Sequence, residues 1–510
     1  MELQFPSIPL LLCFLLFVFM VFEIAKKTRS KTSSPKLPPG PWKLPLIGNM
    51  HQLAVSGSLP HHTLREMAGK YGPLMLLKLG EVATIIITSP EIAKEVLKTH
   101  DINFAQRPFV LTAKILSYNS TNIVSSPYGG YWRQMRKICV EELLSSKRVQ
   151  TFQGIREEEV SDFIRSISQE RELPINLSKK ISSLTCGIVC RMVFGKKCKY
   201  QELLISIVED ATTLVAGFTI VDMYPSVKLL EVVTGLRRKL EKMSDKMDNI
   251  LGSIIREHKE RKKAESGNGE VEGEDLVDVL LRIQKQGDLE CPLTDDNIKA
   301  VLLDIISAGF ETSSRIVEWA MTELLKNPQL LKRAQDEVRD VFDKKGNVDE
   351  SGLHELKYLN SIIKETLRLH PTAPLVVRES SEKCIVSGYD IPAKTKVIVN
   401  AWAMGRDPTY WTEPEKFNPE RFIDSETDYK GRNFEYIPFG AGRRMCPGMS
   451  FALPNMEFPL AQLLYHFDWK LPNGMKPEEL DMEEKFGIAV RRMHHLYLIP
   501  IPYDHPSPAK

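Results

Sequence analysis

Phe439-Gly440-Ala441-Gly442-Arg443-Arg444-Met445-Cys446-Pro447-Gly448 sets one cysteine in a tight turn, with glycines where a positive φ or a close approach is needed. The apolar stretch Phe451–Phe467 follows and reads as a helix. A cysteine at a helix N-terminus, with Arg443 and Arg444 beside it, is expected to have a depressed pKa and to exist as thiolate, the form a metal requires. Backbone N–H groups of the turn would hydrogen-bond the sulfur, and Phe439 would shield it from water. The other cysteines, Cys13, Cys139, Cys186, Cys190, Cys198, Cys291 and Cys384, form no CxxC pair and no regular spacing. No zinc site is expected of them, and they read as isolated thiols in a reducing compartment, most of them small buried hydrophobes.

Outward from this turn the chain reads as mainly helical. Periodic apolar spacing recurs along most of Glu91–Lys344, with amphipathic helices at Glu157–Ile167 and Leu236–Lys259. Short β-rich pieces, Leu74–Leu79, Ala83–Thr88 and Lys396–Ala401, predict small sheets beside the helices. Arg261–Asp275 reads as a charged surface loop, and the Pro- and Gly-rich stretch Asn400–Tyr436 as irregular. With 510 residues, 43% hydrophobic and 26% charged, the chain has material for a large core. A net charge of +2 gives no field suited to nucleic acid.

The pattern F-x-x-G-x-R-x-C-x-G of the cysteine turn resembles the haem-binding signature of cytochrome P-450, matched at every fixed position. Other elements of that family follow in order along almost the whole chain. The resemblance implies a mainly α fold with small β-sheets (α+β), carrying an N-terminal transmembrane helix, and haem b (iron protoporphyrin IX) ligated by Cys446. Glu365 and Arg368, three apart on a helix, face the same way. They match the family's buried E-x-x-R pair, which implies a structural lock with Arg421 of Pro419-Glu420-Arg421-Phe422. Trp132 and Arg136 lie four apart on one helical face, and the family uses both on a haem propionate. Arg444 and Arg378 are further propionate candidates because a guanidinium suits a carboxylate. Phe439 and Gly448 complete the cofactor set.

The oxygen-activating helix of the family resembles Ala308-Gly309-Phe310-Glu311-Thr312. Small Ala308 and Gly309 would permit close approach to the haem, and Thr312 beside acidic Glu311 would relay protons. Two departures from plant relatives stand out. Phe310-Glu311 replaces Thr or Gly followed by Asp, which brings a bulky ring near the relay, and Val377 replaces the Pro before Arg378. Segments the family places over the haem are apolar: Leu303, Ile306 and Phe310, then Ala373, Leu375, Val376 and Val377, then Ile488 and Ala489. An apolar pocket favours a hydrocarbon-like substrate.

Phe5–Phe22 carries no charged residue and is long enough to span a bilayer, with Lys26, Lys27, Arg29 and Lys31 following it. The positive-inside rule then puts the catalytic body in the cytosol, and the resemblance to the plant microsomal type implies the endoplasmic reticulum membrane. A membrane anchor (1–25), a basic and proline-rich linker (26–50) and one catalytic domain (51–510) are expected. The linker, with Pro38-Pro39-Gly40-Pro41, reads as a stiff spacer. The family implies a monooxygenase consuming O2, with NADPH oxidised through a membrane-bound NADPH–cytochrome reductase that docks near Arg133, Lys137, Lys147 and Arg443. No glycine-rich dinucleotide fingerprint is seen in the chain. Within the plant microsomal type the chain most resembles terpenoid oxidases, among them those acting on casbene-type macrocyclic diterpenes. Sesquiterpenoids, alkaloids and fatty acids suit the same pocket. A thiolate-haem isomerase or dehydratase, the competing class, usually lacks the acid–alcohol helix.

Overall fold

The computed structural model describes residues 35–55, 57–170, 172–265, 273–343 and 345–505. The expected anchor and the basic residues after it lie outside the described residues. Helix α1 (Pro60–Tyr71) leads into strand β1 (Leu74–Leu79), whose Leu-Met-Leu-Leu run is covered on both faces. Gly80 turns the chain with φ +61 into β2 (Val82–Ile87), in antiparallel register from Leu74↔Ile87 to Leu79↔Val82. A Cβ at Gly80 would lie 2.5 Å from the Met223 carbonyl oxygen, so only glycine fits. Two later strands complete this sheet, β3 (Leu375–Glu379) and β4 (Lys396–Asn400), in the order β1-β2-β4-β3. The β2–β4 pair is parallel and β4–β3 antiparallel. Val377 does not interrupt β3: it pairs with Ile398, and Arg378 with Val397.

The proline-rich stretch is not a free spacer in its second half. Leu76 N–H donates to the Pro39 carbonyl at 2.8 Å, and a Cβ at Gly40 would sit 2.1 Å from the Leu76 oxygen. Asn49 N–H donates to the Lys78 carbonyl at 2.6 Å while its Oδ1 accepts from Lys78 N–H at 2.8 Å. Prolines that cannot donate therefore lie along β1 as acceptors only.

The remaining mass is helical. Helix α2 (Gly130–Ile138) carries Trp132 and Arg136. Helix α3 (Leu177–Phe194), capped by Asn176 and ended by left-handed Gly195, is apolar on nearly all sides and lies in the core. Helix α4 (Gln201–Val215) belongs to the apolar run Gln201–Met223, long enough by composition to cross a membrane, yet Leu204, Ile207 and Val208 pack into the core. Helix α5 (Leu236–Glu265) runs beyond Lys259 into the stretch read as a surface loop. At the far end of that stretch Asp275 is buried, and it caps the helix Leu276–Gln286 by accepting from Asp278 N–H.

Helix α6 (Asp295–Lys326) starts from a capping box in which Thr294 and Asn297 bond each other's backbone N–H, and runs about 48 Å through the core. Helix α7 (Lys357–Leu369) carries Glu365 and Arg368, and α8 (Met449–His466) follows the cysteine turn. Strands β5 (Phe467–Lys470) and β6 (Tyr497–Pro502) pair with each other, and β6 also with Ile175–Asn176. Helices α3, α6 and α8 share the largest apolar cluster.

Candidate active site

A cavity of about 400 Å³ separates α6 from the cysteine turn. The face that α6 turns to it carries Asp304, Ile305, Ala308, Gly309, Thr312 and Ile316, a stripe at helical spacing of four. Ala373, Val376, Val377 and Ile488 line it too, as do Trp132, Arg136, Arg378, Phe439, Arg444, Cys446 and Gly448. Leu303, Ile306 and Phe310 do not. Ile306 and Phe310 are fully buried on the far side of α6, and Leu303 packs against the core. The expected pocket face of α6 was thus rotated from the real one, and the Phe310 ring is not near the cavity. A Cβ on Gly309 would lie 3.2 Å from both Phe451 and Val189, so its small size also serves helix packing.

Adjacent helical residues do not share a face, and this separates Glu311 from Thr312. The Thr312 hydroxyl donates to the Ala308 carbonyl at 2.7 Å, with its oxygen open to the cavity. Glu311 is buried and accepts from Arg315 Nη2 at 3.0 Å; that guanidinium also meets Glu209 at 3.1 Å and Glu318 at 3.5 Å. Glu311 is therefore the counter-ion of Arg315 rather than an acid facing the cavity. The acid that does line it is Asp304, two turns before Thr312, which sequence reasoning missed. Stepping back four residues at a time from Thr312 would have found it. Burial raises Asp304 to about 6, although its carboxylate accepts from Asn122 Nδ2 at 2.6 Å and from Ile123 N–H at 2.8 Å.

Cys446 sits in the turn with Gly440 and Gly442 at φ +71. A Cβ on Gly442 would fall 2.1 Å from the Leu97 carbonyl oxygen, so the turn closes only over glycine. Cys446 N–H donates to the Phe439 carbonyl at 3.0 Å, and the sulfur is open to the cavity. The expected low thiol pKa is not what this geometry gives. Burial pushes Cys446 up, opposed by the Gly448 N–H and more weakly by Arg136. Neither neighbouring arginine points at the sulfur. The Arg443 guanidinium lies 3.7 Å from Asp101, and the Arg444 guanidinium donates to the carbonyls of Ala105, Ile123 and Ser126. A thiolate here needs a coordinated cation, which deprotonates a bound thiol outright.

Four guanidiniums converge on one side of the cavity. Burial pulls Arg107 down to about 10 against the pull of Asp304 and lowers Arg136, while burial and then repulsion from the neighbouring guanidiniums pull Arg444 to about 9 and lower Arg378. Among the described residues Arg378 donates only to the carbonyl before it, its Nε has no partner, and it faces Arg107, Arg444 and Arg136. The Trp132 indole N–H is taken by the Ile123 carbonyl at 3.1 Å, so its ring, 4.3 Å from Arg444 and 5.6 Å from Arg136, acts as a stacking surface. Arg107 was not singled out in the sequence; it donates to the Val124 carbonyl at 2.9 Å and to that of Val377. Buried cations with no carboxylate at contact distance are costly, and a ligand bearing carboxylates relieves the cost. Haem b carries two propionates and a face that apolar walls suit, so these residues fit it.

Behind the turn, Glu365 accepts from Arg368 at 2.7 and 2.8 Å and from Arg421 Nε at 3.0 Å. Arg368 also donates to the carbonyls of Gly405, Pro414 and Lys416, and Arg421 to that of Thr412. Glu365 and Arg368 are wholly buried, and together they tie α7 to the irregular stretch before the cysteine turn.

Comparison with known proteins agrees on one family. The cytochrome P-450 family model matches residues 38–497. Salviol synthase of Salvia pomifera is 52% identical, over 98% of this chain and 98% of its own length. Desmethyl-deoxy-podophyllotoxin synthase of Sinopodophyllum hexandrum is 54% identical over 98% and 97%, and tabersonine 16-hydroxylase 1 of Catharanthus roseus 53% over 98% and 99%. A zebra fish cytochrome P-450 solved with progesterone covers 88% of this chain and all of that one, at TM-score 0.75 and 24% identity.

Proposed function

The chain belongs to the cytochrome P-450 family, and on that premise we propose that it inserts one oxygen atom of O2 into a C–H bond of a terpenoid, with casbene-type diterpenes the first class to test. At the coarser level it is a monooxygenase of plant specialised metabolism, as its relatives are. The observation that carries the reading is the cavity, where the Cys446 sulfur and the Thr312 hydroxyl open onto walls made by Ile305, Ala373, Val376, Val377 and Ile488. Haem b supplies a redox-active iron at which dioxygen is reduced. Arg107, Arg136, Arg378 and Arg444 would hold its propionates, with Trp132 stacked between two of them. Gly448 N–H would bond the Cys446 sulfur, and Phe439 would keep water from it. Thr312 would hold a proton at Oγ1 and pass it toward the oxygen being reduced. Apolar walls would orient the substrate and exclude bulk water.

Electrons would come from NADPH through a reductase docking at exposed Arg133, Lys137, Lys147 and Arg443. The chain is read as held in the endoplasmic reticulum membrane by residues 1–25, with 26–50 joining the anchor to a cytosolic body of 51–510. The test is turnover of a terpene panel, with alkaloids and fatty acids as comparison, by membranes carrying the chain and a plant reductase. Products carrying one added 18O from 18O2, dependent on NADPH, are expected from terpenes. Oxygenation confined to the comparison compounds overturns the substrate class, and reductase-independent conversion of hydroperoxides overturns the reaction.

A further inference from the structure

Lys396 opens β4 and lines the same cavity, yet only 7% of its surface is exposed. Its Nζ donates to the Gly217 carbonyl at 3.1 Å and lies 5.1 Å from the centroid of the Phe218 ring. An ammonium has three donors, and this accounts for one. The acids around it direct their hydrogen bonds elsewhere, and Asp222 supports its charge only from a distance. Asp222 accepts from Leu111 N–H at 3.0 Å and from the Thr219 hydroxyl at 2.6 Å. Glu379, opposite Lys396 in the strand register, turns to Lys394 at 3.6 Å. Among the described residues Lys396 has no carboxylate within 4.0 Å. Burial pulls the amine down to about 8, which leaves it mostly a cation at neutral pH. A pin for the Gly217 turn would need a single neutral donor. A buried charge does that task at greater cost, unless a ligand pairs with it.

We propose that the substrate carries an oxygen function, a carboxylate or a carbonyl, and that Lys396 binds it, holding the rest of an otherwise apolar molecule in the cavity. This rests on the oxygenase reading and narrows its substrates from bare hydrocarbons to compounds that another oxidation has already reached. Apolar walls give the skeleton its burial energy, and one cation fixes which end enters first. Neither Gly217 nor Phe218, which touch Lys396, belongs to the cysteine turn, so the oxygen function is held at a different wall from the sulfur.

The experiment uses the haem-loaded full chain and three probes of one skeleton, abietic acid, abietal and abietadiene, with dissociation constants read from the substrate-induced Soret change. Wild type is expected to bind the acid and the aldehyde more tightly than the hydrocarbon. Lys396→Met should weaken the oxygenated probes by roughly tenfold or more, as loss of a charged hydrogen bond does, and leave abietadiene unchanged. Lys396→Arg should restore part of the difference. Equal wild-type affinities, no binding of either oxygenated probe, or an unaltered ratio in Lys396→Met overturns the assignment. The wild-type ratio needs no variant to fold. If terpenes are oxygenated but the ratio ignores Lys396, the lysine inference falls alone; if the ratio follows Lys396 but no product forms, the reaction falls and the subsite stands.

Discussion

Serine in place of Cys446 keeps the size of the side chain but removes the soft donor that haem iron requires. Cys446→Ser is expected to give folded protein that lacks the thiolate-specific Soret shift of its reduced carbon monoxide complex; a spectrum that keeps the wild-type shift would falsify the ligand assignment. Thr312 and Glu311 make a sharper pair, because α6 sends them to different faces. Thr312→Ala should retain haem and substrate-induced spectral change while lowering product formed per NADPH oxidised, with hydrogen peroxide taking up the difference. Glu311→Gln should hold that ratio nearer wild type and lower the Tm, because it weakens the neutralisation of buried Arg315. The reverse pattern would return the relay to Glu311. Cys446 was legible from sequence because its turn is local: two positive-φ glycines and the cysteine lie within seven residues. Arg107 and Asp304 were not, since each matters through groups far along the chain, Val377 for one and Asn122 for the other.

Elements are held to each other by buried charge, and two joints can be tested. Glu365 serves Arg368 and Arg421, and removing its charge leaves two guanidiniums short of a partner. Glu365→Gln should cost about 3–5 kcal/mol, as breaking a buried pair does, and be seen as loss of haem-loaded protein. Normal yield and Tm would show the lock to be dispensable. The second joint ties α5 to the helix Leu276–Gln286. Both nitrogens of buried His258 face acceptors, the Ile254 carbonyl at 2.8 Å and Asp275 at 2.9 Å, so full satisfaction requires the imidazolium. Burial alone lowers the His258 pKa, but Asp275 and the other acceptors win and it is raised above its ordinary 6.5. Its stability is then fully present below pH 6.5 and lost as pH rises through the folded value. The Tm difference between wild type and His258→Gln should be largest near pH 6 and shrink toward pH 8.5; a gap constant with pH would mean a neutral ring. This joint could not be read from sequence. Arg261–Asp275 has the charge of a solvated loop, and only folding shows that Asp275 caps a helix from inside. Three strands were legible to within one residue, since β-branched runs such as Ala83–Thr88 carry the propensity, but β5 and β6 were not named, and neither was the cavity face of α6, because its apolar residues run all round and the period no longer marks a side.

At the scale of the molecule the question is where the body begins and what would keep it on a membrane. Pro39 and Asn49 are stitched to β1, and Lys36 N–H donates to Asp390 at 2.9 Å. A truncation removing Met1–Lys31 stops short of these bonds, whereas one reaching Met50 removes them and uncovers the edge of β1. The shorter deletion should therefore keep haem and ligand binding, and the longer one should lower the yield of haem-loaded protein. Release from membranes is expected to be large but incomplete. The short helix Leu229–Val233 leaves Leu229, Val232 and Val233 at 68%, 69% and 71% exposure, with Ile220 at 41% just before it. These follow the Gly217–Phe218 turn of the cavity wall, so a second contact with lipid would bring that wall near the bilayer. The measurement is sedimentation with microsomes of full-length chain, the 1–31 deletion, and that deletion with Leu229, Val232 and Val233 changed to serine. Stepwise release across the three, with the reduced carbon monoxide spectrum retained, is the expected result. Complete release by the deletion alone leaves the apolar patch no membrane role, and full retention by the triple variant shows that neither segment is what holds the protein.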